Sequence, residues 1–399
     1  MLSLANISVV ETLRSFKSAG VPVSFLVPTK TGLDKSIMDA TKSLRDFFKS
    51  QDLHNYEHQQ QGTEAKVLIP TLLVSKGSVI ETKTSLYRPE TKGGDPRIWI
   101  YKLVEHSEPH DLIALSVNPS GLVAVNCTKS DLNSLLKVSS SEFSILFSAS
   151  VIGLSDDASE LLDMMREIAS KGYVTTLRPG DTGVGFTLET LLGISANSSK
   201  APDFRGIEIK SGRKKSQRSG RTTIFSQVPN WKVSRLKGSK DILFNRGRFH
   251  DIKKRMQLFH EFSATKLNSY DMKLVVDYTK EQLHQVCHES GGITVDVIWE
   301  FDVLKKRLLE KHKETFWVSA QSKGRSGDVD EKFFYSDIKH TGSVDVSVFP
   351  TLIETGVISL DYTIKELKPN VAKDQGYLFK ISSKNLDLLF SKVNHYPLV

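Results

Sequence analysis

Asp203, Glu208 and Lys210 stand in the stretch Pro202-Asp203-Phe204-Arg205-Gly206-Ile207-Glu208-Ile209-Lys210. At that spacing a β-hairpin would gather two carboxylates and an amine at one point. Two acids beside an amine can hold a hard divalent cation against a phosphodiester and activate a neighbouring water. In an extended strand alternate side chains share a face, so Glu208 and Lys210 point one way while Ile207 and Ile209 anchor the strand in a core. Gly206 permits a bulge or sharp bend that returns Asp203 to the same place. Asp203 and Glu208 would then offer oxygen ligands to Mg²⁺. Lys210 would orient or help deprotonate the attacking water and stabilise charge on the scissile phosphate. The competing reading is a hairpin with solvated charges, because such patterns also arise by chance.

The surroundings favour the chemistry. Residues 201–250 carry 13 Lys and Arg against 3 Asp and Glu, leaving 41 basic and 43 acidic residues elsewhere, so the whole net charge of +8 comes from this segment. A surplus concentrated beside candidate metal ligands fits a phosphate-rich polymer, whose backbone neutralisation supplies most sequence-independent affinity. Arg213, Lys214, Lys215, Arg218 and Arg221 follow the acids directly and read as a phosphate-seeking loop. Glu189, on a short helix expected from Thr187 to about Leu192, projects away from Leu188, Leu191 and Leu192. It is either a surface acid near a helix start or a further acid facing the site.

The elements that must position these groups are legible in part. Acids at Asp156, Asp157 and Glu160 open a helix whose Leu161, Met164, Met165 and Ile168 mark a buried face, closed by Lys171-Gly172. Arg178 to Gly185, with three glycines, reads as a loop before the Thr187 helix. Strands are expected at 221–227, 273–277, 282–287, 293–298, 316–320, 333–339, 360–363 and 377–381, a helix at 301–313, and a basic loop region over 229–250. Upstream, residues 1–150 are nearly neutral. They read as a separate α+β module with a helix-like run from Thr31 to near Phe48 and strands at 67–73, 97–103, 112–117 and 122–125. Ser139–Ser141 with residues 143–151 reads as a linker and strand, so the expected division is 1–150 and 151–399. No apolar run reaches the roughly 18–20 residues of a membrane span. The N-terminus lacks a basic signal region, and Cys127 and Cys287 suggest no disulfide framework, so a reducing cytoplasm is expected. His284, Cys287 and His288 lack the second ligand pair of a zinc site.

Gly183-Val184-Gly185-Phe186-Thr187-Leu188-Glu189-Thr190-Leu191-Leu192-Gly193-Ile194, followed by Pro202 to Ser211, resembles the MvaI/BcnI family of restriction endonucleases, relatives of the MutH nickase among the PD-(D/E)xK nucleases. Asn268-Ser269-Tyr270 and Lys373 to Ile381 extend the resemblance, which covers roughly residues 155–395. It implies a restriction-endonuclease-like α/β (α+β) fold, a mixed β-sheet core flanked by helices. It also implies Mg²⁺-dependent hydrolysis of double-stranded DNA, with Mn²⁺ as a substitute, leaving 5′-phosphate and 3′-hydroxyl ends. Asp203, Glu208 and Lys210 would be catalytic, and Glu189 would match the family's helix-borne acid. Loops of the C-terminal half would enter the grooves, and a DNA methyltransferase acting on the same site is the expected companion. Lys323, Arg325, His340 and Lys373 are candidate base or phosphate contacts, weighed against ordinary surface charge. The alternatives are a MutH-like nickase and a DNA-binding protein whose nuclease site has decayed.

Overall fold

The computed structural model describes residues 8–137, 154–194, 202–214 and 220–398. Lys215, Arg218 and the 139–151 segment lie outside them. The chain divides into a first unit of Met1–Ser150, Tyr278–Glu281 and Val346–Thr355, and a second of Val151–Asp277, Gln282–Asp345 and Gly356–Val399.

In the first unit, seven strands form one sheet: β1 (Ser24–Leu26), β2 (Met38–Asp39), β3 (Val67–Ser75), β4 (Ser78–Tyr87), β5 (Arg97–Ile100), β6 (Ile113–Asn118) and β7 (Gly121–Asn126). Their order is β1-β6-β7-β3-β4-β5-β2. The β3–β7 pair is parallel and the other pairs are antiparallel. Leu44, Phe47 and Phe48 of the helix Lys42–Ser50 pack on Leu73, Leu86, Ile98 and Ile113 of that sheet. The single helix expected from Thr31 to Phe48 is broken. Lys30–Asp34 makes one short turn, Ser36 takes a left-handed φ of 52°, and Met38 pairs with Ile98. Thr41 then starts a new helix, its hydroxyl accepting from the Leu44 N–H. Sheet pairing overrides the helical spacing here.

The second unit is built from three sheets. The first comprises β8 (Val174–Thr175), β9 (Glu208–Arg213), β16 (Glu314–Lys323), β17 (Lys332–Val344) and β20 (Phe390–Pro397), ordered β20-β17-β16-β9 with β8 on β17. The second comprises β10 (Arg221–Ser226), β11 (Arg248–His250), β12 (Arg255–Phe262), β18 (Ile358–Lys368) and β19 (Val371–Ser382), ordered β10-β19-β18-β12-β11. A third is β13 (Met272–Asp277), β14 (Gln282–Glu289) and β15 (Gly292–Glu300). This is the mixed α+β architecture expected of the chain. The helix Asp156–Ser170 lays Leu161, Leu162, Met165 and Ile168 over Ile207, Ile209, Phe316 and Val318.

Two local expectations are corrected. The glycine-rich loop is helical from Gly183, giving a helix Gly183–Leu191. The basic region 229–250 contains a helix, Ser239–Arg246, and the strand β11. His284, Cys287 and His288 lie on β14, where His284 Nε2 is 2.9 Å from Gln282 Oε1. Among the described residues no helix is long and apolar enough to cross a membrane.

Candidate active site

Phe204 and Ile207 exchange two backbone hydrogen bonds of 2.9 and 2.7 Å, closing a tight turn over Arg205 and Gly206. Both central residues have positive φ, 42° and 92°, as a type I′ hairpin turn requires. Gly accepts that conformation freely, whereas Arg205 does not. The Arg205 guanidinium is tied to Glu160 and Asp157 at the start of the helix Asp156–Ser170. The turn folds Asp203 back over the start of β9, where its Oδ2 accepts from the Ile209 N–H at 2.8 Å.

Along β9 the side chains alternate as the sequence demands. Ile207 and Ile209 enter the core. Glu208 and Lys210 share the other face, with Lys210 Nζ 2.5 Å from Glu208 Oε1. Glu208 is fully buried, so its charge needs a close counter-charge. Lys311 supplies a second one, donating to both carboxylate oxygens at 3.0 and 3.1 Å. The parallel pairing of β9 with β16 sets Glu208 opposite Thr315 and Lys210 opposite Trp317. Lys311 ends the helix Phe301–Lys311, just ahead of β16.

His312 fixes that junction. Burial drives its pKa down to about 4, so the ring is neutral. Its Nε2–H donates to the Ile224 carbonyl at 2.6 Å, which leaves Nδ1 to accept from the Thr315 hydroxyl at 2.9 Å. The ring also stacks on Trp317.

Glu189 comes from the helix Gly183–Leu191. The Tyr335 hydroxyl donates to the Val184 carbonyl, and Thr187 accepts from the Leu177 N–H, fastening this helix beside β9. The proton affinity of Glu189 is raised, first by burial and then by Asp203, with Lys210 opposing and Glu208 adding to the rise. Asp203 is raised likewise, by burial first; the Ile209 hydrogen bond opposes this and Glu208 adds to it. Three carboxylates from two elements therefore feel one another and two lysines. Among the described residues no three Asp, Glu, His or Cys side chains converge closely enough to enclose an ion. The donor set still suits Mg²⁺, which binds through one or two carboxylates and completes its shell with water and substrate phosphate.

The other residues singled out in the sequence are dispersed. Arg213 is turned inward, bound to the buried Glu331 and to the carbonyls of Gly180 and Asp181. Lys214 pairs with Asp337. Arg221 pairs with Asp361 and Glu261. Lys323 lies over the Tyr173 ring, and Arg325 is exposed in the following loop. His340 is buried on β17 with Nε2 on Glu314. Lys373 is exposed on β19. Lys311 and His312 were missed, since a lysine near a helix C-terminus reads as a solvated cap.

One solved structure similar to this chain is described as the restriction endonuclease MvaI–cognate DNA substrate complex. It is 25% identical with a TM-score of 0.51, over 62% of this chain and 100% of that one. Restriction endonuclease MvaI in the absence of DNA matches at 22% identity and a TM-score of 0.38, over 61% and 99% respectively. No curated protein sequence matches. Fold and family model together define a restriction-type deoxyribonuclease. The chain belongs to the MvaI/BcnI restriction endonuclease family, whose model matches residues 162–390.

Proposed function

We propose that this endonuclease hydrolyses double-stranded DNA at a specific sequence in a Mg²⁺-dependent reaction, with Asp203, Glu208, Lys210 and Glu189 as its working residues. The observation that carries the proposal is the electrostatic coupling of the three acids with Lys210 beside buried Glu208. Asp203 and Glu208, with Glu189, would hold the cation, and Mn²⁺ would substitute for it. When bound, the cation would lower the pKa of a water and polarise the phosphate. Lys210 orients the attacking water and offsets charge on the phosphate oxygens. Water attacks phosphorus in line, the P–O3′ bond breaks, and the products carry a 5′-phosphate and a 3′-hydroxyl. Lys311 gives buried Glu208 a second counter-charge beside Lys210, and neutral His312, next to it in the chain, adds no further positive charge there.

Binding of double-stranded DNA is supported by the likeness to a structure described as a complex with cognate DNA. Residues 1–150 lie outside the matched residues 162–390, and we assign them recognition, regulation or partner contact. A methyltransferase modifying the same site would protect host DNA.

Incubation of the purified protein with unmethylated plasmid and Mg²⁺ should give discrete fragments. Only open circles would indicate a strand-nicking enzyme. Uncut DNA across divalent metals, with binding retained in a gel shift, would overturn the catalytic assignment. Lys210→Ala should abolish cutting while leaving fold and binding intact, and normal cutting by it would refute the site.

A further inference from the structure

Arg213 ends β9, just beyond Lys210, and its guanidinium donates from all of its nitrogens. Nε and Nη2 take both carboxylate oxygens of Glu331 at 2.7 and 2.6 Å. Nη1 and Nη2 also donate to the Asp181 and Gly180 carbonyls, each at 3.0 Å. Glu331 is 1% exposed and accepts in addition from the Gly327 N–H at 2.8 Å. Its hydrogen bonds from Arg213 hold its carboxyl below the usual range, so it is ionised and depends on that partner. An arginine is required, because its planar fork presents fixed donors where a lysine ammonium is a single point charge.

What the fork holds is the start of the helix that carries Glu189. Gly180 and Asp181 lie just ahead of Gly183–Leu191, and the Gly180 carbonyl accepts from the Gly183 N–H as well as from Arg213. Thr182 lends this helix no side-chain cap, so its start is fixed from outside. The Gly180 N–H donates to the Gly327 carbonyl at 2.9 Å, and the Glu331 carbonyl accepts from the Thr176 N–H at 2.8 Å. A bare cation here would oppose the positive end of the helix dipole, and Glu331 cancels it. Tyr335 and Thr187 hold the helix to β17 and to the segment ahead of it. Arg213 differs from them because it stands on the same strand as Glu208 and Lys210.

We propose that Arg213 and Glu331 are positioning residues for hydrolysis, setting where the Glu189 carboxylate stands relative to Asp203, Glu208 and Lys210. One fork joins the strand of two working groups to the helix that bears another, so a slip of that helix is resisted at the strand itself. Catalytic constellations tolerate little misplacement, and a shift of about 1 Å can cost about 100-fold in rate. Neither residue touches DNA or the cation, and their effect is exerted through Glu189. The inference rests on the nuclease reading for the role of Glu189 and adds to it the pair that holds this acid in place.

The test compares wild type with Arg213→Lys, which keeps a charge beside Glu331 but not the fork, and with Arg213→Gln/Glu331→Gln, which leaves no buried charge unpaired. Arg166→Gln, on the exposed side of the helix Asp156–Ser170, controls for the loss of one charge. Amide hydrogen exchange is measured in EDTA without DNA. Both variants of the pair should exchange about tenfold faster over Gly183–Leu191 and at wild-type rates over Phe301–Lys311. With Mg²⁺ their kcat for plasmid cleavage should fall about tenfold or more, while KM for DNA stays within about twofold. The Arg166 variant should match wild type throughout. Faster exchange in both helices alike would reduce the pair to general stability and overturn the proposal. A raised KM with kcat held would place Arg213 on DNA and overturn it too, as would wild-type behaviour by Arg213→Lys. Failure of wild type to cut refutes the nuclease reading, while the exchange pattern still decides whether the pair fixes this helix.

Discussion

Asp203 and Glu189 are held partly buried near other carboxylates, so both bind protons more tightly in the folded chain than outside it. A carboxylate raised in this way favours the fold at low pH, and that contribution is lost as pH rises through its folded value. At pH 7.5 and without metal, ionised Asp203 therefore works against stability. Asp203→Asn keeps an oxygen to accept from the Ile209 N–H. Its melting temperature in EDTA at pH 7.5 should exceed that of wild type, and the advantage should shrink as the pH falls towards about 4. Adding Mg²⁺ should stabilise wild type and leave the variant unmoved, because only the ionised set attracts the cation. A variant that melts lower than wild type in EDTA would show that Asp203 is not under electrostatic stress. Asp203, Glu208 and Lys210 could be read from the sequence because one turn and one strand bring them together. Lys311 could not, since it reaches Glu208 only through the parallel pairing of β9 with β16.

At the scale of elements, the two glycines of the helix Gly183–Leu191 have opposite roles. A Cβ on Gly183 would meet the Arg178 carbonyl at 2.4 Å, so the helix approaches its own preceding loop closely there. On Gly185 the nearest atoms are Ser211 Oγ at 3.4 Å and Glu189 Oε1 at 3.6 Å, ordinary contact distances. Gly185→Ala should stabilise by about 0.5–1 kcal/mol through helix propensity, and Gly183→Ala should destabilise by about 1–3 kcal/mol through the clash. Urea melts of the two variants check the pair, and the same sign for both would contradict this packing. These glycines also explain a misreading: three in a short span signal a loop, but tertiary packing makes two of them helical. The Thr31–Phe48 run failed for the converse reason, because its apolar spacing suits a helix while Met38 is claimed by the edge of a sheet.

Taken whole, the chain is not cut cleanly after residue 150. Val346–Thr355 belongs to the first unit, and its Val348, Phe349, Leu352 and Ile353 are at most 2% exposed. Burying such side chains contributes roughly 1.5–3 kcal/mol each. A fragment of residues 154–399 should therefore expose an apolar patch, seen as dye binding and self-association on gel filtration, whereas the full chain should not show it. A monodisperse fragment that binds no dye would mean that the segment packs adequately without residues 1–150.

The sequence alone determined the acids and lysine of the hairpin, the bend that joins them, the concentration of positive charge after them, and the family, because each is local in the chain or carried by a contiguous motif. Tertiary structure decided which charges are free to meet a ligand. Arg213 and Arg221 are spent on acids of the same unit, while Lys373, a candidate contact in the sequence, is set opposite Lys365 by the β18–β19 register. Pairing across strands is set by backbone register between distant segments, and that is where the chain's electrostatics are finally assigned.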